Sequence, residues 1–387
     1  MVDPSSFSLN YDYSLCNALV AQGCQVKLAH SEYAHETWER SATFHSWKYF
    51  YSRSHSGRTK RSGRWFRLGK AAEHVFDMQR LAGVLHRDLP DVIHFQWLPL
   101  PLLDRLGLAR LSQIAPIVLT LHNTNLLHGS PDSLLQVLGF GSVFRHVSAV
   151  IVHTEFSRDR VIAQGWANAE KVRVVPHGAF EHYRALLSNA PPPSSGRHRI
   201  LFLGAIETYK GVDLLLDAFA RLPQALQDVS DLIISGLPRK GTSLLQDRSK
   251  ALGIDHRVQW NLRFVTEPEV AALFTSATVA VLPYRDADQS AALLTAVALG
   301  TPVIASRVGG IPETIRDGVH GRLFENGDAQ GLADALEDVL TSPERRCLMQ
   351  AAMLELGTGP LSWDSAARQT IAVYKDVVYQ HRQIGER

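Results

Sequence analysis

Residues 281–313, VLPYRDADQSAALLTAVALGTPVIASRVGGIPE, offer the best-defined setting for chemistry in the chain. Val279–Leu282 is an apolar run, and Pro283–Ser290 cannot extend it as a central strand. Ala291–Leu299 is a small-residue helix stopped by Gly300, and Gly309–Gly310 turn the chain again after a β-branched stretch. A strand, loop and helix in that order bring the first N–H groups of the helix, those of Ala291 and Ala292, to the carboxyl edge of a parallel sheet. A diphosphate suits such a place. Any βαβ unit has the same outline, so neighbouring side chains must decide whether an anion is bound.

The elements that would position this loop recur along the chain. Short apolar strands are expected at Gln25–Ala29, Val92–Phe95, Ile117–Leu121, Ala149–His153, Val172–Val175, Ile200–Leu203, Asp231–Ser235, Val279–Leu282 and Pro302–Ala305, with helical segments between most of them. This alternation predicts an α/β fold of doubly wound domains. Residues 188–197, SNAPPPSSGR, form a Pro/Ser linker. Two Rossmann-like domains are therefore expected, over 1–187 and 198–363. A terminal amphipathic helix from Asp364, with Ala367, Ile371, Tyr374 and Val378 on one face, would let 364–387 return to brace the first domain. Asp12–Ala21 reads as a helix, yet only Met1–Val2 remain of the strand that should precede it. The expectation is a natural start upstream, with 3–8 as the first, ligand-facing loop.

Composition narrows the function classes. The 387 residues are 45% hydrophobic and 20% charged, enough for ordinary cores, and a net charge of +2 does not call for a nucleic-acid partner. Cys16, Cys24 and Cys347 have no CxxC spacing, which argues against a disulfide scaffold or a zinc site. With no run of about 18 apolar residues and no basic-then-apolar leader, a cytoplasmic protein is expected, or one peripheral on the inner face of the cell membrane. No G-x-S-x-G elbow supports a Ser–His–Asp hydrolase.

Several stretches, in order, resemble the retaining GT-B glycosyltransferases of glycosyltransferase family 4. They are DVIHFQW at 91–97, VLTLHN at 118–123, VVPHG at 174–178, LFLGAIETYKGVDLLLDAF at 201–219 and the donor-loop stretch 283–313. The resemblance implies two domains facing each other across a cleft, an acceptor domain first and a nucleotide-sugar donor domain second. It implies no cofactor and no metal, with a UDP- or GDP-sugar as substrate. Negative charge builds on the leaving diphosphate, and a fixed cation with backbone N–H groups would stabilise it. Lys210, six residues after Gly204 and just before Gly211, matches that cation. A lysine at a helix start opposes the helix dipole, which favours a functional role over a solvated one.

The side chains depart from the family's pattern. Ala205 stands where an arginine usually follows the glycine, and Glu207 lies close by. Arg285 is the first substitute cation, with Arg239 or Lys240 second. Counting back from Gly300, the two glutamates of the usual Glu-x7-Glu fall on Ala287 and Thr295. Asp286 or Asp288 would take the sugar-hydroxyl role, Ser290 with the Ala291 and Ala292 amides the phosphate, and Thr295 one ribose contact. His122 of TLHN matches a family histidine that approaches the donor sugar, whereas His177 reads as structural and His94 and His128 as weaker candidates.

Residues 44–70, FHSWKYFYSRSHSGRTKRSGRWFRLGK, contain no acid and interleave basic with aromatic side chains. Two readings stand: a solvated loop, or a surface that docks on an anionic membrane. An RNA-binding reading has no companion fold. The leading expectation is transfer of a hexosyl unit, with retention and without a metal, to a glycan or lipid-linked acceptor in surface polysaccharide assembly. A catalytically impaired partner of another glycosyltransferase, or a sugar-nucleotide epimerase on the same fold, are the alternatives.

Overall fold

The computed structural model describes residues 1–32, 41–54, 64–125, 139–187, 196–239 and 241–385. Two compact units divide the chain, Met1–His177 with Trp363–Arg387, and Gly178–Ser362.

The first unit is built on a seven-stranded sheet in the order β3-β2-β1-β4-β5-β6-β7. Its strands are β1 (Val2–Asp3), β2 (Lys27–Ser31), β3 (His45–Phe50), β4 (Ile93–Phe95), β5 (Ile117–Thr120), β6 (Ala149–Val152) and β7 (Val172–Val174). Every neighbouring pair is parallel. The run IVLT in β5 is buried throughout, as a strand covered on both faces requires. Helices α1 (Leu9–Ala21) and α11 (Trp363–Gly385) contribute to a core on one face, where Tyr11, Leu15 and Leu19 meet Trp363, Ala367 and Val377. Helices α2 (Arg64–Asp88), α3 (Pro101–Leu111) and α4 (Glu155–Ala163) supply Met78, Leu81, Leu108, Leu111 and Val161 to another core.

The second unit has a six-stranded parallel sheet in the order β10-β9-β8-β11-β12-β13. Its strands are β8 (His198–Leu203), β9 (Ser230–Ser235), β10 (Val258–Asn261), β11 (Val279–Leu282), β12 (Val303–Ser306) and β13 (Gly321–Phe324). The helices between and after them are α5 (Val212–Ala220), α6 (Ser243–Ala251), α7 (Glu267–Ser276), α8 (Ala291–Leu299), α9 (Ala329–Thr341) and α10 (Pro343–Thr358). Helix α8 is apolar on all sides because it is enclosed, with Leu293 through Ala298 all buried. Gly300 ends it in the left-handed conformation at φ 69°.

Three strands are absent from the sequence expectation, β3, β10 and β13, and all three are sheet edges. Edge strands are half exposed, so their residues alternate or mix and give no solid apolar run. β3 corrects the reading of 44–51 as a surface segment. His45–Phe50 pairs with β2, and Tyr49, Phe50 and Tyr51 are buried. β2 begins two residues later than expected because pairing of Ala29 with Val2 and of Lys27 with His45 sets its register. The first domain also ends earlier than residue 187. Residues 178–187 fold with the second unit, where the Ala179 N–H donates to the Leu361 carbonyl (2.7 Å) and Arg184 Nε to the Ala298 carbonyl (2.6 Å).

Candidate functional site

In the second sheet the chain runs from β8 outward to β10, then returns to β11 on the other side and runs outward to β13. The reversal opens a crevice at the carboxyl ends of β8 and β11, where ligands of such sheets bind. The two loops bordering it are the two singled out in the sequence, Gly204–Gly211 and Pro283–Ser290.

Close backbone approach holds these loops together. Gly211 has φ 69°, and a Cβ there would lie 1.9 Å from the Pro283 carbonyl oxygen, so only glycine fits. The Arg285 N–H donates to the Tyr209 carbonyl at 2.7 Å. Behind the second loop, Gly309 at φ 53° sits against the Ala287 carbonyl, 1.6 Å from any added Cβ. The paired glycines thus set the path of the donor loop.

Lys210 closes a short 3-10 turn, Thr208–Lys210. Its Nζ lies 3.7 Å from the ring centroid of Tyr284 and 5.1 Å from that of Tyr209. These ring faces attract the ammonium without neutralising it. Among the described residues no carboxylate forms an ion pair with Lys210, whereas its neighbours are paired.

Arg285 has a different role from the substitute phosphate cation expected. Its Nη1 and Nη2 donate to the two carboxylate oxygens of Asp213 at 3.0 and 2.7 Å, and Nη1 also donates to the Thr208 carbonyl at 2.6 Å. Asp213 stands in the first turn of α5, where the helix dipole favours a carboxylate. Half-burial alone would raise its pKa, but the hydrogen bonds and charge of Arg285 hold it below the ordinary range. Arg285 is thereby a clamp between the lysine turn and the donor loop. Arg239 is likewise occupied, 3.5 Å from Glu207, and Lys240 lies outside the described residues.

Ser290 caps α8, its Oγ accepting from the Leu293 N–H at 3.2 Å. The N–H groups of Ala291 and Ala292 belong to the first turn of that helix and have no acceptor within it. Thr295 does not offer a ribose a free hydroxyl. It is buried and donates to the Ala291 carbonyl at 2.8 Å, one turn back along α8. Asp286 is half-buried and Asp288 buried in the loop between. Gly204 follows β8 directly, its N–H donating to the Ser235 carbonyl at 3.0 Å. Sequence reasoning missed Tyr284, Asp213 and Ser306, whose hydroxyl donates to the Tyr284 carbonyl. An acid at the second position of an α-helix was a readable signal for Asp213.

In the first unit the matching reversal falls between β1 and β4. The loop after β1 is organised by buried Asp3, whose carboxylate accepts from Ser5 N–H (3.1 Å) and Ser8 N–H (3.2 Å). Ser6 is held at φ 53° with its hydroxyl on the Ser31 carbonyl, 2.7 Å away. Histidines from the neighbouring strand ends gather nearby. His122, His153 and His177 surround Tyr11, with ring centroids 4.7, 5.4 and 4.8 Å from it. His122 Nε2 is 3.2 Å from Gln96 Oε1, and its Nδ1 is 3.2 Å from His153 Nε2. Burial lowers the pKa of His94 and His122 well below the usual value and that of His153 to about 4, so all three are neutral at pH 7. His94, expected as a weak candidate, is buried between Tyr374 Oη (2.6 Å) and Thr120 Oγ1 (2.7 Å). His128 lies outside the described residues.

Two doubly wound units in tandem, the second with the Lys210 turn and the start of α8 at its topological switch point, are the architecture of the GT-B class. Residues 10–179 match the family model described as Glycosyltransferase Family 4, and residues 186–352 match Glycosyl transferases group 1. The chain thus carries a family 4 domain followed by a group 1 domain on a GT-B architecture, and it spans less than half the length of the first of the curated relatives it matches. The chain is 33% identical over 195 residues to a D-inositol 3-phosphate glycosyltransferase of Thermobifida fusca, a match spanning 47% of this chain and 43% of that relative. Among solved structures, sucrose-phosphate synthase from Thermosynechococcus elongatus aligns with a TM-score of 0.71 at 20% identity, over 96% of this chain and 93% of that one. The Anabaena protein HepE in complex with UDP aligns at 0.65 and 15% identity, over 97% and 98%. These likenesses show the fold.

Proposed function

We propose that the chain transfers a hexosyl unit from a nucleoside-diphosphate sugar, a UDP- or GDP-sugar, to a glycan or lipid-linked acceptor with retention of configuration. The observation that carries this reading is Lys210, an ammonium without a carboxylate partner among the described residues, at a switch point whose second loop ends in the free amides of α8. The UDP bound by a protein of the same fold supports the donor class. In the reaction the bond between the sugar's C1 and the diphosphate oxygen breaks. The acceptor oxygen bonds to C1 on the same face, and its proton passes to the departing phosphate. Lys210 and the Ala291 and Ala292 amides take up the charge on that phosphate, so the reading needs neither a metal nor a strong protein base. Asp286 and Asp288 face the sugar hydroxyls in this reading, Gly204 gives the backbone room to approach the diphosphate, and His122 is a candidate sugar-contacting residue.

The acceptor side rests on α2. Trp65 (85% exposed) and Leu68 (53%) stand at its start beside exposed Arg67, an apolar pair with a cation that suits an anionic bilayer surface. Among the described residues no helix is long and apolar enough to cross a membrane. The proposal therefore places the protein at the cytoplasmic face, in surface polysaccharide assembly. The name of the Thermobifida relative points instead to a cyclitol phosphate as acceptor. A second reading, a catalytically impaired partner of another transferase, is favoured by Ala205 and Ala287 and by the pairing of Arg285 with Asp213.

Calorimetric titration with UDP-glucose and GDP-glucose, followed by nucleotide release with and without acceptor, separates these readings. Binding with release only in the presence of acceptor, lost about 10²–10³-fold in Lys210→Ala with unchanged melting, is the expected result. No binding of either donor would refute transfer in favour of the impaired partner. Vesicles of anionic lipid that retain Trp65→Ala as well as the parent would remove the membrane surface.

A further inference from the structure

We infer that a cleft in the first unit, at the amino end of β1, is the seat of a further stretch of strand. Its occupant is a short apolar segment of the same polypeptide, joined to the Met1 nitrogen and lying between β2 and β4.

A cavity of about 950 Å³ opens at this place. Its walls include Leu19 of α1, Leu81 and Leu85 of α2, Ile93 of β4, and Ile371 and Tyr374 of α11. Strand β1 has two residues and lies between β2, which has five, and β4. Val2 stands opposite Ala29 on one side and Phe95 on the other. Lys27 and Ile93, two residues earlier in β2 and β4, have no strand between them among the described residues. Backbone groups left open in this way need partners, and the pleat shows which groups they are. The Ala29 N–H donates to the Met1 carbonyl at 3.0 Å, and the Gln96 N–H to the Val2 carbonyl at 2.9 Å. Direction alternates along a strand, so the N–H groups of Lys27 and His94, two residues before these, are turned the same way and into the cleft.

The way Met1 is held identifies the occupant. Its nitrogen donates to the Lys27 carbonyl at 2.9 Å, the bond that a strand N–H makes at this position of a parallel pair. Desolvation lowers the pKa of this amino group, a cost that the N–H of a peptide bond does not carry. A residue joined to that nitrogen would stand opposite Lys27 and Ile93, and its carbonyl would accept from the His94 N–H. The carbonyl one residue further back would accept from the Lys27 N–H. Side chains follow the same alternation. The first and third added residues would join Val2, Leu81 and Leu85, and the second would join Leu19, Ile371 and Tyr374. Helices cover both faces, so all three positions call for apolar side chains. At about 3.3 Å per residue this stretch is about 10 Å long. Ion pairs rim the cleft where it would emerge, Lys27 with Asp88 at 2.8 Å and Arg382 with Asp91 at 3.9 Å. A separate peptide would bring its carboxyl end against the Met1 amino group between two strands, desolvating two chain ends where one peptide bond desolvates none.

The test is amide hydrogen exchange, read residue by residue on three forms of the full chain. One is the chain itself, one carries Met-Val-Leu-Val ahead of Met1, and one carries Met-Ser-Gly-Ser there. In the chain itself the Ala29 and Gln96 amides are protected, and those of Lys27 and His94 exchange about tenfold faster or more. The Val-Leu-Val extension slows Lys27 and His94 by about tenfold or more and raises the melting temperature of the first unit, and the Ser-Gly-Ser extension does neither. Equal protection of Lys27, His94, Ala29 and Gln96 in the chain itself overturns the inference whether or not an extended form folds. An apolar extension that protects no better than the polar one overturns it as well. The free peptide acetyl-Val-Leu-Val, added to the chain itself, is the remaining arm. No protection is expected from it, and protection equal to that of the joined segment would assign the cleft to a separate chain and refute the occupant named here.

Discussion

Replacing Asp213 with asparagine keeps the shape of the group that holds Arg285 and removes its charge. The parent pair is bidentate, at 2.7 and 3.0 Å, but its side chains are 36% and 40% exposed, so solvent screens it. Its contribution to folding is then that of a surface pair, about 0.2–1 kcal/mol. Because the folded pKa of Asp213 is depressed, this stabilisation is present above the carboxyl's ordinary 3.8 and lost as pH falls through the lower folded value. At pH 7 it is fully present, and Asp213→Asn should lower the melting temperature of the second unit by no more than about 4 °C. The nucleotide readout decides more. If Arg285 were a phosphate ligand held in reserve, freeing it would place a second cation in the cradle. A unit charge about 4 Å from a phosphate is worth roughly 4 kcal/mol at an effective dielectric of 20 before desolvation is subtracted, and a third of that is already tenfold. If Arg285 is a clamp, its loosening lets the Thr208–Lys210 turn drift and UDP affinity falls several-fold. Calorimetry with UDP at pH 7, beside a melting curve on the same sample, reads both quantities. A tenfold or greater gain in UDP affinity would refute the clamp.

Gly211→Ala puts a Cβ 1.9 Å from the Pro283 carbonyl and holds alanine at φ 69°, a conformation that costs about 1–2 kcal/mol by itself. Denaturant unfolding should show a loss of at least that size, and UDP binding should weaken because the Lys210 turn is displaced. Thr295→Val removes a hydroxyl that already donates to Ala291, so UDP affinity measured by calorimetry should change less than threefold, about 0.6 kcal/mol. A larger loss would restore the ribose contact. Stability of the first unit should fall as pH drops from 6.5 toward 5, because His94, His122 and His153 bind protons in the unfolded chain before they do in the folded one. Each contributes on the order of 1 kcal/mol per pH unit, and a urea midpoint independent of pH over that range would contradict the buried cluster.

The parts of this structure legible in the sequence are those that a single segment determines. Central strands such as Ile117–Thr120 are buried on both faces and announce themselves as unbroken apolar runs. The Gly300 stop of α8 and the crowded Gly211 and Gly309 turns require glycine for backbone reasons that operate locally. What could not be read was decided by groups distant in sequence. His45–Phe50 becomes a strand only because β2 supplies its partner, and nothing in its own residues separates that fate from a basic, aromatic loop. Arg285 resembled a free cation because Asp213, 72 positions away, is invisible to local pattern. His122 lies beside Gln96 and His153, partners that its own segment does not reveal.

This division bears on how the second unit would stabilise charge in the proposed transfer. A pair of cations would leave two ammonium or guanidinium groups facing each other in the empty site. Here Arg285 is paired with Asp213 and Arg239 with Glu207, and Lys210 is held between aromatic rings that satisfy it without cancelling its charge. Among the described residues the site therefore has one effective cation, with the α8 dipole and its two first-turn amides as the other source of positive potential. Removing Lys210 should then abolish most of the stabilisation, because helix-terminus effects alone reach only about 2 kcal/mol in favourable buried geometry. Restoring the arginine that usually follows Gly204, by Ala205→Arg, would place a second cation in the same crevice. If one cation and the helix already suffice, Ala205→Arg tightens UDP binding without raising turnover, because an interaction made equally with the bound donor and the transition state does not lower the chemical barrier.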